Sequence, residues 1–510
     1  MLGVSLCAAC SSEASHGGAT NTGSTGTSGA SPTFGVGGTP ILVGPGPVPS
    51  PTLGIDLGAT CDETRGVKSQ GAALLVSDPE VLARFTLERV LAQLIETAGA
   101  ETTPLVALQQ LFDTQNAAHA AVFPGNVHCD DVLNPAFGNS PPVDCPRAEG
   151  ALASSAGLLS GDDPDGFYPI ALVNRFDRIA PNLTTCGNYD ILFAKRSGAA
   201  QPSNRVFLAL RGFLPNAQGT LANCRPVAEL WAGLESDDDP ASRADVLEQL
   251  YFVGLPGFEP VVHATHYGLG AGDCGSPVQC GQIQVGQGMQ EPWQFRQFRP
   301  ALSEASGTPE LYFVPSVLPG SPRSELFDPA SPDPLGPSFR SQLVGGVAGL
   351  STLKVPRVQF WSSPIYEVGE SAVSGPAAPN YLARVNESPL GQQLRGELEN
   401  MIGVAGGGDC PSDDPMSADA LLQRMTALSC AGCHAPDATI VPDRAIGCGQ
   451  AWPKSLGVSH VDEHGELSEA LSQVFLPHRA ELLTMFLQAC RPDAVVAALG
   501  LYPPTAPPLP

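Results

Sequence analysis

Cys430-Ala431-Gly432-Cys433-His434 sets two thiols two residues apart, with an imidazole directly after the second. Thiols so spaced can add to the two vinyl groups of a haem, and the imidazole then falls beneath the iron as a ligand. Two other chemistries would use the same atoms. Cys430 and Cys433 could form disulfides with Cys410, Cys448 or Cys490, leaving His434 incidental. A zinc ion could take Cys430, Cys433, Cys448 and His434, but His434 abuts Cys433 and oxidation competes for exported thiolates.

A second axial donor would have to come from beyond the motif. No methionine lies between residues 434 and 484, and Met485 falls at a core-like helical spacing that reads as packing. His460 and His464 remain. His460 is flanked by Leu456, Val458 and Val461, which predicts a part-buried ring and makes it the expected second ligand. His464 lies in the solvated turn Asp462-Glu463-His464-Gly465, and His478 beside Pro477 reads as a helix N-terminal residue. Two imidazoles on one iron give a lower potential than an imidazole and a thioether. His263 and His266 could share a metal with His128 and Asp130, but nothing in the sequence places them together.

The elements around the motif must hold it in place. A helix capped by Ser417 carries Leu421, Leu422, Met425 and Leu428 and runs directly into Cys430. A loop-rich stretch follows to about 465, then a helix over 477–490 bearing Leu482, Leu483, Phe486 and Leu487. Helix, attachment motif, loop and closing helix, over residues 416–500, resemble a small c-type cytochrome module. The resemblance implies one covalent haem c, with thioether links at Cys430 and Cys433 and His434 as proximal ligand. It also implies transfer of single electrons with a redox partner protein, rather than catalysis.

Upstream the pattern is mixed. Val81, Phe85, Val90, Leu91 and Leu94 predict a helix opened by Pro79 and closed by Gly99, and a second helix follows Pro104. Three strands are predicted over 170–176, 189–194 and 206–213, the last two forming a hairpin around a polar loop at 196–204. Cys186 and Cys224 flank that hairpin and could staple its base. Helices follow at 227–234 and 243–252, then strands at 282–285, 293–298 and 311–314. Strands in runs, apart from helices in runs, predict an α+β architecture. The expected layout is an α+β domain over 55–400, a cytochrome c-like domain over 401–500 and a Pro-rich tail over 501–510.

At the other end, residues 1–9 resemble a bacterial lipoprotein signal remnant, with Cys10 as the lipid-bearing residue. Residues 10–54 are mostly Gly, Ser, Thr, Pro and Ala, the composition of a tether. The expected location is the bacterial cell envelope, with the membrane reached through the lipid alone. A net charge of −25 argues against nucleic acid as a partner, because it leaves nothing to neutralise phosphates. No apolar run reaches the 18 residues of a membrane span. The 14 cysteines, with short intervals such as 129/145 and 274/280, read as disulfides in an oxidising compartment. The rival to a haem protein is therefore a disulfide-stabilised surface lipoprotein without a cofactor, acting in binding or structure.

Overall fold

The fold, taken from a computed structural model, is described for residues 56–131, 144–270, 281–303, 307–375, 377–405, 410–434 and 441–501. The expected lipid-bearing Cys10, the signal remnant and tether, Cys274, Cys280 and the tail beyond Leu501 lie outside the described residues.

The apolar runs pair into one antiparallel sheet of eight strands. β1 (Leu75–Val76), β2 (Phe167–Arg175), β3 (Thr185–Lys195), β4 (Val206–Pro215), β5 (Gln282–Gln287), β6 (Gln294–Ser303) and β7 (Glu310–Ser316) lie side by side in chain order. β8 (Glu370–Ala372) and β7 share the outer edge of β6, β8 along 294–296 and β7 along 297–303. With helices segregated outside this sheet, the architecture is α+β.

Register divides the sheet into two unlike faces, because residues directly opposite one another share a face. One face carries Leu172, Ile191, Leu210, Ile283 and Phe298 in adjoining register. Helices from the first half of the chain cover it; Trp231 of helix Arg225–Gly233 stacks on Tyr189 at 6.0 Å. The other face is polar. Asp190 sits opposite Arg211, Arg211 opposite Gln282, and Gln284 opposite Gln297, all of them buried. The C-terminal segment covers this side, with Phe486 of helix Leu476–Gln488 against Phe176 at 4.7 Å.

The expected helix over 79–99 is two helices, Pro79–Leu82 and Leu87–Ala98. Thr86 breaks the run, because its side chain accepts from the Arg89 amide as an N-cap. Gly99 closes the second helix in the left-handed region at φ 65°. The hairpin staple forms as Cys186–Cys224, and the short interval closes as Cys129–Cys145. Cys61–Cys490 ties the first described segment to the end of the last long helix, across 429 residues. Buried apolar residues from Leu57 to Leu501 form one continuous cluster. Among the described residues no helix is long and apolar enough to cross a membrane.

Candidate functional site

Helix Ala418–Leu428 begins at Ser417, whose side chain accepts from the Ala420 amide. It ends at Ser429, and a second short helix, Cys430–His434, starts at once. Ser429 holds this junction by donating to the Thr426 carbonyl (2.6 Å) and accepting from the Gly432 amide (3.1 Å). Distant segments take the other exposed amides: Cys430 donates to Ser321 Oγ and Ala431 to Ser371 Oγ on β8, each at 3.1 Å. Those contacts dock the motif on the sheet edge. Gly432 is required for close approach, since a Cβ there would lie 1.8 Å from the Thr426 carbonyl oxygen.

All five residues of the motif are buried. His434 Nδ1 lies 3.1 Å from the Val458 carbonyl oxygen. A carbonyl only accepts, so Nδ1 carries the proton and Nε2 is the unprotonated nitrogen, the tautomer in which imidazole binds a metal through Nε2. His434 packs on Phe295 of β6, 4.8 Å between centroids, and on His460 at 4.6 Å. His460 stands at the base of a small hairpin made by the Val461–Leu467 bridge. Its Nδ1 meets Ser468 Oγ at 2.7 Å, and its Nε2 lies 3.3 Å from Cys433 Sγ. Burial, with His434 and Arg479 nearby, pushes the His460 imidazole well below its usual pKa and keeps it neutral. One donor atom each from Cys433, His434 and His460 lies within 4.8 Å of the others. The nitrogen donors of this group are the two imidazoles, while Cys433 Sγ is committed to a disulfide.

The expected residues Cys430, Cys433, His434 and His460 thus meet in one place. His464 is exposed in its turn, His478 pairs with Glu481, and Met485 packs against the core. Two alternatives for the cysteines fall away. Cys410 pairs with Cys448 and Cys490 with Cys61, so none of the three bonds to Cys430 or Cys433, and Cys448 is not a zinc ligand. Cys430 and Cys433 are themselves both disulfide-bonded.

Sequence reading missed two features. A group of buried guanidiniums, Arg175, Arg178, Arg211 and Arg479, gathers with Asp177 and Asp190 on the polar face of the sheet beside His460. Arg175, Arg479 and Arg178 hold the Asp177 carboxyl far below the usual range despite its burial. A run over 175–178 with three charges directly after an apolar strand was the available signal.

The other is Glu259, which His263 and His266, their rings 5.0 Å apart, meet in place of the His128 and Asp130 considered from the sequence. His128 faces Asp113 and Asp131 instead. Burial first, then His263, pushes His266 down to about 4, so it stays neutral in the fold where an unfolded chain would protonate it near 6.5. The unfolded chain therefore binds the extra proton between about pH 6.5 and 4, and stability falls as pH drops through that window. The loss from His266 should approach about 3 kcal/mol. Urea unfolding at a series of pH values should show this slope, shallower in His266→Gln, with His460 supplying a remainder of the same sign.

No protein-family profile, curated protein or solved structure matches the chain.

Proposed function

We propose that this is an envelope-anchored, c-type cytochrome-like protein that binds one covalent haem and passes single electrons to a partner protein. The observation that carries the reading is the His434–Val458 hydrogen bond. It fixes the tautomer and orientation of the imidazole, directly after two cysteines at attachment spacing and beside a second neutral imidazole. Cys430 and Cys433 in their dithiol form would carry the thioethers, His434 the proximal bond and His460 the distal one. When bound, haem supplies the one-electron chemistry. The chain's residues orient the two imidazoles through Val458 and Ser468 and exclude water, since His434 and His460 are both 0% exposed. Cys10 would hold the protein at the membrane by its lipid.

His434→Ala, expressed in a host competent for cytochrome c maturation, tests this. The visible spectrum of the haem-loaded protein should lose its low-spin form, and an unchanged spectrum would sink the assignment.

A disulfide-stabilised surface lipoprotein without a cofactor is the second reading. Two observations favour it: Cys430 and Cys433 are both disulfide-bonded, and the His434 and His460 rings pack directly on each other. Peptide mapping of native material separates the two, by finding either thioether-linked haem or disulfide on Cys430 and Cys433.

A further inference from the structure

His263 and His266 take no part in the haem reading, and the backbone holds them firmly. Val261 and Val262 donate their amides to the carbonyls of Leu250 (3.1 Å) and Tyr251 (2.9 Å), and the Ala264 amide donates to Thr97 Oγ1 (3.0 Å). Ala264–Tyr267 is a single 3₁₀ turn with His263 as its N-cap residue, closed by Gly268 at φ 98°. Three residues per turn put side chains at i and i+3 on one face, and the two imidazoles accordingly stand 5.0 Å apart. Glu259 enters from the tight turn that the Leu255–Phe258 bridge closes. Its Oε2 lies 3.5 Å from His266 Nε2.

One donor atom from each of Glu259, His263 and His266 lies within 4.8 Å of the others. On a tetrahedral zinc ion, with bonds of about 2.0–2.1 Å, neighbouring ligand atoms stand roughly 3.4 Å apart. Glu259 and His266 are already at that spacing. Rotation of the half-buried His263 and the exposed Glu259 side chains closes the rest.

His266 gives an independent sign of a ligand. Its side chain is 1% exposed, yet among the described residues neither ring nitrogen has a hydrogen-bond partner. The backbone of Val261 and Pro260 faces the ring without completing a bond. A buried imidazole left so is costly, and a metal would take its lone pair. Burial, then His263, keeps the ring unprotonated, as a ligand must be. Thr265 Oγ1 meets His263 Nδ1 at 2.7 Å; with the hydroxyl as acceptor, Nε2 is the nitrogen left for a metal. The Glu259 side chain is 65% exposed, which gives an ion a way in and leaves solvent at a fourth position.

We propose that Glu259, His263 and His266 bind one divalent ion of the zinc class. Two imidazoles and one carboxylate suit zinc, whereas magnesium and calcium take shells of oxygen. The site is independent of the haem reading, because it shares no residue with it.

Zinc is the probe, titrated calorimetrically into the chelator-treated full chain in excess magnesium. One zinc per chain should bind. Glu259→Gln and His263→Ala should each weaken it at least ~10-fold, since losing a direct ligand costs no less than losing a residue that only orients one. Neither side chain is buried, so circular dichroism should be unchanged in both. His434→Ala should bind zinc as the parent does, which separates this site from the His434–His460 pair. A parent chain that binds no zinc, either site variant binding it as the parent does, or loss of the zinc in His434→Ala would overturn the proposal.

Discussion

A Cys430→Ser, Cys433→Ser double variant is expected to carry no covalent haem, where the proposed function gives the parent chain one per molecule. Each thioether consumes one thiol, and serine hydroxyls do not add to vinyl groups under maturation conditions. The fold around the motif should survive. Its docking runs through backbone amides, with Cys430 and Ala431 donating to Ser321 and Ser371, and through the Ser429 junction, none of which uses sulfur. A haem-stained denaturing gel with circular dichroism on the same sample checks both halves. Haem still bound to a folded double variant would show attachment elsewhere. Loss of fold together with haem would mean that the cysteines act mainly in structure.

Arg424→Met should be the most destabilising single change near the site, by about 3 kcal/mol. Arg424 is fully buried in helix Ala418–Leu428 and donates to the carbonyls of Ile446 (2.7 Å), Leu350 (2.7 Å) and Thr352 (2.6 Å), and to Gln450 Oε1 (3.1 Å). Burial pushes its pKa down to about 10, so it remains charged at neutral pH. Methionine fills much the same volume but leaves those acceptors unpaired, and an orphaned buried carbonyl costs more than a mean hydrogen bond contributes. Because this helix leads into Cys430, haem loading should fall with stability. A drop in the urea midpoint at unchanged slope checks it; a shift below about 1 kcal/mol would mean that water reaches the acceptors the variant leaves unpaired.

Elements whose signal is local were legible in the sequence. The strands around Leu172, Ile191 and Leu210 read correctly because apolar residues dominate them, and the Cys186–Cys224 staple because both cysteines border one hairpin. His460 was legible from its apolar neighbours, and it stands beside Cys433 and His434. Features made by distant segments were not. Arg175, Asp190, Arg211 and Arg479 come from three strands and one helix, and only strand register and the covering helix bring them together. Ser321 and Ser371 cap the motif from segments with no sequence link to it. Cysteine parity was equally silent about Cys61–Cys490 and Cys410–Cys448, because it carries no spatial information. The split at Thr86 was hidden by an apolar spacing that spans both helices, and only the capping hydrogen bond shows it.

The central claim is that Cys430, Cys433 and His434 hold a covalent haem. A pyridine haemochrome spectrum tests it most directly, on full-length protein exported in a host competent for cytochrome c maturation. The account predicts one haem per chain, still attached after acid–acetone extraction and with the spectrum of two thioether links. A colourless protein from that host, with Cys430 and Cys433 still disulfide-bonded, would contradict it.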